Sequence, residues 1–250
     1  MNYFYFILFF GVCSCLDSEG SESYPYNSYV TQHHSGIVWP CQHLDLNCIR
    51  NFLAHYSDCT PAYGSPPDPL SPDATPIDIP HANLTFVLTN AVITGLSNFK
   101  IGNFYLNNKS GTLVLELLLP AVKSYSPEVE VTYHRKGHEP VIVRDYAGIV
   151  YGDTSLTITF PVRYNKIQIS GWHVFSYAGD ANPPYTLAPK FINHPDRTVR
   201  RATRELVHEI GLTLQEALAP QGPVFSRLIL QNSICNFWHP SLFPLQMVKI

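Results

Sequence analysis

The chain has 250 residues, 45% of them hydrophobic, and a formal net charge of -3 at pH 7. This length and apolar content suit one large domain or two small ones with a packed core. The charge provides no broad positive field for a phosphate backbone, so we expect no nucleic-acid partner.

The first residues have the layout of a secretory signal. An apolar run over residues 3–12 is followed by small residues at positions 13–15, where a cleavage site belongs. The run is too short for a membrane span, which needs about 20 apolar residues. We predict a signal peptide at residues 1–15 and a secreted, extracellular protein; a short amphipathic anchor or a disordered tail is the alternative.

Residues 16–36 are rich in Ser, Tyr, Glu and His and poor in aliphatic side chains. Such a segment buries little surface, so it predicts a flexible leader. The composition then changes, and we expect residues 37–250 to form a single domain.

Four cysteines remain after the predicted signal is removed, an even number that suits an oxidising compartment. Six residues separate Cys41 from Cys48, which favours a local structural bridge. Cys59 and Cys235 would then join each other, or one of them stays free or pairs between chains. Two Asn-x-Ser/Thr sequons predict glycosylation at Asn83 and Asn108 in a secreted protein.

The first predicted element is a short helix in "CIRNFLAHY", residues 48–56, because apolar residues recur there at helical spacing. The next segment, residues 59–80, is dense in proline and turn residues, so the sequence predicts no regular structure in it.

Residues 83–172 consist of β-branched, aromatic and leucine-rich runs separated by Gly, Pro and Asn, a pattern typical of successive antiparallel strands. Residues 112–120, "TLVLELLLP", and residues 155–164, "SLTITFPVRY", alternate apolar and polar side chains, which predicts one strongly apolar sheet face. Residues 129–146 read as a hairpin with its turn at residues 136–139.

A helical period begins near Thr198, where apolar residues recur every three or four positions through residue 217. The pattern predicts one long amphipathic helix of about 30 Å, since each residue adds 1.5 Å. Pro220 and Gly222 are expected to end it, with a shorter segment after them.

Two stretches resemble catalytic motifs without completing them. "GLSNF", residues 95–99, has Phe99 in place of the second glycine of a nucleophile elbow, so Ser97 is expected to be a turn residue. His208-Glu209 begins a zinc-binding pattern, but Leu212 occupies the position of the second histidine. We expect no catalytic residues, no metal site and no cofactor.

The stretches "CQHLDLNCIRNF", "DPLSPDATPIDI" and "VLTNAVITGLSNFKIGNF" together resemble the takeout and juvenile-hormone-binding family of secreted insect proteins. The resemblance implies an α+β, TULIP-like fold in which a curved antiparallel sheet wraps around one long helix and encloses an apolar tunnel. It also implies an N-terminal disulfide between Cys41 and Cys48.

These observations favour a secreted, non-enzymatic carrier of a hydrophobic small molecule, such as a juvenile-hormone-like terpenoid, a fatty acid or a similar lipid. The alternative is an extracellular structural or interaction glycoprotein of the same fold that has lost its cavity. A protein receptor or extracellular partner is left open. The candidate ligand-contacting residues are Leu115, Leu117, Tyr133, Ile158, Phe160, Leu206 and Ile210.

Overall fold

The computed structural model describes residues 36–179, 181 and 183–237. The predicted signal peptide, and the predicted leader apart from Gly36, lie outside the described residues. The strands are β1 (Ile37–Val38), β2 (Thr60–Pro61), β3 (Thr75–Ile79), β4 (Leu84–Thr89), β5 (Val92–Thr94), β6 (Lys100–Asn107), β7 (Thr112–Tyr133), β8 (Val141–Arg163), β9 (Lys166–Ile167), β10 (His173–Gly179), β11 (Tyr185–Leu187) and β12 (Cys235–Asn236). The helices are α1 (Leu46–Tyr56), α2 (Pro189–Ile192), α3 (Arg197–His208) and α4 (Ile210–Ile229), and α4 runs directly into a π-helical segment, Leu230–Ile234.

Two long strands form the centre of the sheet. β7 has 22 residues and β8 has 23, and they pair antiparallel from Thr112–Pro161 at one end to Tyr133–Val141 at the other. On the other side of β7, strands β6, β5 and β4 pair with successive parts of its length, and β3 pairs with β4. On the other side of β8, strands β9, β10 and β11 do the same. The predicted antiparallel sheet and its central hairpin are confirmed.

The sheet curves around α4. This helix contacts β3 on one side of the central pair, β10 on the other side, and β8 between them. A flat sheet could not bring strands on opposite sides of the hairpin onto one helix. The predicted α+β architecture, with a curved antiparallel sheet around a C-terminal helix, is therefore confirmed. The sheet is not closed into a barrel in the described part of the chain, since β3 forms no ladder with β10 or β11.

The concave face of the sheet is the apolar face that the alternation predicts. Leu113, Leu115 and Leu117 of β7 are fully buried, as are Leu156 and Ile158 of β8. They share one core with the buried residues of both long helices. Full burial of each such side chain is worth about 1.5–3 kcal/mol, so this face contributes a large share of the folding free energy.

The long helix differs from the prediction in two ways. It is divided at Glu209, whose backbone (φ -99°, ψ 44°) departs from helical values. It also continues past Pro220 and Pro223 to Ile229. A proline inside a helix loses one backbone hydrogen bond, at a cost of about 3 kcal/mol. Burial of Leu218, Phe225 and Ile229 in the core outweighs this cost, so packing rather than local propensity decides where the helix ends.

Gly222 has a packing role instead of the expected helix-ending one. It lies in the middle of α4, and a Cβ atom at this position would come 2.7 Å from the Cβ of Ser176 in β10. The absent side chain therefore allows α4 to approach β10 closely.

The proline-rich segment contains two strands that the sequence does not predict. β2 pairs with β12, and β3 pairs with β4 at the edge of the large sheet. An edge strand tolerates a proline such as Pro76, because only one side of the strand must supply ladder hydrogen bonds. Tertiary pairing thus imposes strand structure on a sequence of low strand propensity.

The first helix forms where expected and begins two residues earlier. Its N-cap is Asp45, whose carboxylate accepts a hydrogen bond from the Cys48 N–H at 2.9 Å. This cap satisfies one of the free N–H groups of the first turn. No helix in the described residues combines the length and apolarity that crossing a bilayer requires.

Candidate functional site

An apolar cavity lies between the concave sheet face and the junction of α3 and α4. Its volume is about 60 Å³. On this measure one buried water needs about 10–15 Å³, whereas pockets for drug-sized ligands span about 300–1,000 Å³. The space is therefore far smaller than a lipid of 15 to 20 carbons needs. The lining residues are Ile77, Ile79, Phe86, Leu88, Ser124, Ala147, Gly148, Ile149, Tyr151, Tyr185, Leu187, Leu206, Ile210, Thr213 and Ala217.

The few polar groups around the cavity are neutral. The Thr213 hydroxyl donates to the Leu206 carbonyl at 2.9 Å, and the Tyr151 hydroxyl accepts from the Gln221 side chain at 2.9 Å. Complete burial raises the pKa of Tyr151 far above that of an exposed tyrosine, which outweighs the hydrogen bond from Gln221. A cavity with this lining suits a small apolar guest and holds no charged group for acid–base chemistry.

The predicted ligand-contacting residues separate into two groups. Leu206 and Ile210 line the cavity. Tyr133 is buried outside the lining, with its hydroxyl 3.1 Å from that of Thr203. The other four predicted residues are at most 1% exposed in the core and do not line the cavity: Leu115, Leu117, Ile158 and Phe160.

A polar contact beside the cavity, which the sequence does not indicate, joins the sheet to α4. His81, between β3 and β4, has its Nδ1 2.6 Å from the Glu216 carboxylate. Its Nε2 lies 3.3 Å from the Thr213 hydroxyl. Only a tertiary fold could place these residues together, because 135 positions separate His81 from Glu216.

The structure contains the expected local bridge, and it pairs the two cysteines whose connection the sequence leaves open. Cys41 is bonded to Cys48 across the start of α1, with a Cα–Cα distance of 5.7 Å. Cys59 is bonded to Cys235, with a Cα–Cα distance of 5.6 Å, so the end of the α1 region is tied to the C-terminal segment. All four cysteines of the described residues therefore have a structural role.

Ser97 is a turn residue, as the incomplete elbow motif predicts. Its hydroxyl donates to Asp68 at 2.5 Å, and its N–H donates to the same carboxylate at 2.9 Å. The Gly95 N–H donates to Asp68 as well, at 3.0 Å. The stretch "GLSNF" thus fastens the proline-rich segment to the sheet, and the hydroxyl of the serine is taken up by this structural contact with Asp68.

These hydrogen bonds predict an acid-sensitive contribution to stability. Partial burial raises the pKa of Asp68, but the hydrogen bonds from Ser97 and Gly95 outweigh burial and hold the pKa below its ordinary value of 3.8. A lowered folded-state pKa stabilises the protein above that value and ceases to do so as pH falls through the folded pKa. Asp68→Asn should therefore cost about 1–2 kcal/mol at neutral pH, and the difference from wild type should shrink below about pH 3.8.

Urea unfolding followed by tryptophan fluorescence across this pH range measures the effect. Asp73→Asn is the matched control, because Asp73 is exposed and its side chain makes no hydrogen bond or ion pair in the described part of the chain. Equal losses of unfolding free energy in the two variants would contradict the stabilising role of the Asp68 hydrogen bonds. A loss in Asp68→Asn that persists in acid would contradict it as well.

The two sequons occupy different surroundings. Asn108 is exposed in the turn between β6 and β7. Asn83 is exposed as well, but it has a left-handed backbone (φ 55°) and its amide donates to the His134 carbonyl at 2.9 Å. Asn108 is the more accessible acceptor of the two.

Metal binding finds no support in the described residues, which contain no group of three or more His, Cys, Asp or Glu side chains arranged to hold an ion. His208 and Glu209, the start of the incomplete zinc pattern, contact each other at 3.0 Å on the protein surface.

These features define a disulfide-linked α+β protein whose curved sheet packs on its C-terminal helices around a small apolar cavity. The chain belongs to the fibroin P25 family, whose model matches residues 37–238. It is 23% identical over 216 residues to fibrohexamerin of Galleria mellonella, covering 81% of this chain and 90% of that protein.

The structure is also similar to that of Epiphyas postvittana Takeout 1, with a TM-score of 0.47 and 13% identity over 78% of this chain and 93% of that one. The sequence motifs resemble the takeout family, whereas the family whose model the chain matches is fibroin P25.

Proposed function

We propose that this protein is a secreted structural protein that associates with fibroin chains in silk. The observation that carries the proposal is the filled interior. The sheet face that would line a ligand tunnel shares one core with the helices, and the apolar cavity of about 60 Å³ beside α3 and α4 is too small for a lipid. Membership of the fibroin P25 family and similarity to a fibrohexamerin support the same function.

The convex face of the sheet provides a surface for protein contacts. Phe175 and Tyr177 of β10 are 65% and 61% exposed, and their side chains point away from the helix. Tyr177 lies opposite Ser155 of β8, and Ser155 lies opposite Leu118 of β7. Leu118 is 39% exposed on the same face of the sheet. Exposed aromatic side chains grouped in this way are typical of protein interaction surfaces.

The proposal is tested by mixing the purified, disulfide-intact protein with soluble fibroin chains and following the mixture by sedimentation velocity. We expect a complex that sediments faster than either component. The double variant Phe175→Thr, Tyr177→Thr should weaken it, whereas a variant of the buried face, Ala217→Val, should not. A mixture that sediments as its separate components would exclude the structural function.

Secretion leads to a prediction about processing. The secreted chain should lack residues 1–15 and carry glycan at Asn108 more completely than at Asn83, because the amide of Asn83 is already hydrogen-bonded. Intact-mass measurement before and after glycosidase treatment, with Asn108→Gln and Asn83→Gln as the paired variants, decides between the sites. An unglycosylated chain that retains Met1 would contradict both the predicted cleavage and the predicted glycosylation.

A carrier of a small hydrophobic molecule is the second candidate. The observation that favours it is the apolar lining of the cavity, together with half-buried apolar residues such as Phe86 and Tyr185 that reach it from both sides of the central hairpin. Uptake of a fluorescent fatty-acid probe by wild type but not by Ala217→Val would support a carrier. Absence of uptake by the folded wild-type protein would exclude it.

A further inference from the structure

A row of arginines lies on the exposed side of α3 and takes no part in the contacts described so far. Arg197, Arg201 and Arg204 are separated by four and three residues, which places them on one side of the helix. All three are exposed. The opposite side of α3 is buried in the core through Val199 and Leu206. We refer to these three residues as the arginine row.

The arginine side chains of the row form no ion pair within the described residues. Other arginines of the chain do, since Arg135 lies near Asp196 and Arg144 contacts Glu130. None of the three side chains of the row makes a hydrogen bond or ion pair with any described residue. Glu205, exposed on the adjoining side of α3, lies within 4 Å of none of them.

The row also opposes the stability of the helix that carries it. Like charges three and four residues apart repel each other along a helix. The helix dipole disfavours cations near the N-terminus, where Arg197 is the first residue of α3, and the Asp196 carboxylate that caps this end is occupied by hydrogen bonds from the Thr198 and Val199 N–H groups. A cluster that is unfavourable within the chain is explained most simply by an anionic partner.

The row is somewhat shorter than the repeat of an extended polypeptide, and the length of the arginine side chains covers the difference. Its Cα atoms rise by about 6 Å and then about 4.5 Å along the helix axis. In an extended chain, residues on one face recur about every 6.6 Å, which long arginine side chains can follow. A guanidinium group binds a carboxylate through two parallel hydrogen bonds.

We propose that the arginine row is a docking surface for an extended acidic segment of a protein partner, with its acidic residues at alternate positions. The inference rests on the proposed function in one respect, that the partner is an extracellular protein. The positive charges of the row would recognise the negative charges of the segment. The exposed aromatic side chains on the convex face of the sheet form a separate contact surface.

The test uses a fluorescein-labelled peptide of alternating Glu and Thr, with the matching Gln–Thr peptide as the uncharged reference, in fluorescence anisotropy at low ionic strength. We expect binding of the acidic peptide only. The triple variant Arg197→Gln, Arg201→Gln, Arg204→Gln should raise its Kd at least tenfold. Raising the ionic strength from about 0.05 M to about 0.5 M should weaken wild-type binding strongly, because exposed charges are screened.

The matched control removes three exposed positive charges elsewhere: Lys100→Gln, Lys123→Gln, Arg163→Gln. It should leave the Kd within about twofold of wild type, because those charges do not form a row on one helix. Replacing the row by lysines should restore part of the binding, since lysine keeps the charge but not the paired hydrogen bonds. Thermal unfolding of the glutamine variant should occur at or above the wild-type temperature, which separates lost binding from lost folding.

Several outcomes would overturn the inference: equal weakening by the control variant, unchanged binding by the row variant, or row-dependent binding of a sulfated polysaccharide but not of the acidic peptide. Sedimentation with fibroin chains keeps this inference distinct from the proposed function. If the row variant still joins fibroin as wild type does, the row is not the docking surface while the proposed function stands. If wild type binds the peptide but no fibroin, the proposed function fails alone.

Discussion

Replacing Cys59 and Cys235 together by alanine is expected to lower the free energy of unfolding by about 5 kcal/mol on the chain-entropy model. The bridge closes a loop with a sequence separation of 176 residues, so its loss gives the unfolded chain a large gain in conformational freedom. A domain of this kind has a total stability of about 5–15 kcal/mol, so the variant should be close to unfolding at ambient temperature.

The other disulfide provides the matched control. Cys41 and Cys48 are only seven positions apart, and replacing both by alanine should cost about 2 kcal/mol on the same model. The segments at the long bridge are also joined by the β2–β12 pair and by the Arg50 side chain, which donates to the Ser233 carbonyl at 2.9 Å, but these contacts are present with and without the disulfide and do not restrict the unfolded chain.

Urea unfolding of both double variants under non-reducing conditions measures the two costs, and peptide mapping of the wild type verifies the pairing. Equal destabilisation by the two pairs would show that loop length does not govern the stability of this protein.

Gly95→Ala is expected to cost at least about 3 kcal/mol, combining left-handed backbone strain with overpacking against the neighbouring strand. Gly95 has a φ of +105°, and an added Cβ would lie 2.2 Å from the backbone carbonyl oxygen of Ala121 in β7. A backbone atom in the central strand cannot move aside as a flexible side chain can. The turn that holds Ser97 against Asp68 should therefore be displaced as well.

Gly137→Ala separates the two causes. Gly137, in the turn between β7 and β8, also has a positive φ, +74°, but no atom lies within 4 Å of an added Cβ. It should cost only about 1 kcal/mol, which is the strain of the left-handed backbone alone. Thermal unfolding monitored by circular dichroism compares the variants. A Gly95→Ala loss no larger than that of Gly137→Ala would mean that the close approach to Ala121 is easily relieved.

The apolar alternation in β7 and β8 could be predicted from sequence because its period is local. Leu115 and Ile158 point to the core for the same reason that Glu116 points away from it, since successive side chains of a strand lie on opposite faces. Cysteine spacing likewise indicates the local Cys41–Cys48 bridge, whereas the partner of Cys59 is decided only by the fold, which brings Cys235 beside it. The incomplete motif at Ser97 could be rejected from sequence, but its bond to Asp68 could not be foreseen.

Only the tertiary structure determines where the long helix ends and how much space remains between the helix and the sheet. The helix continues through Pro220 because burying Phe225 and Ile229 in the core stabilises it by more than the lost backbone hydrogen bond destabilises it. The interior is filled because the distance between sheet and helix, set in part by Gly222 against Ser176, leaves little room between two apolar faces. An apolar face in the sequence indicates only that a partner surface exists; whether protein or ligand supplies it depends on that distance, which the fold alone determines.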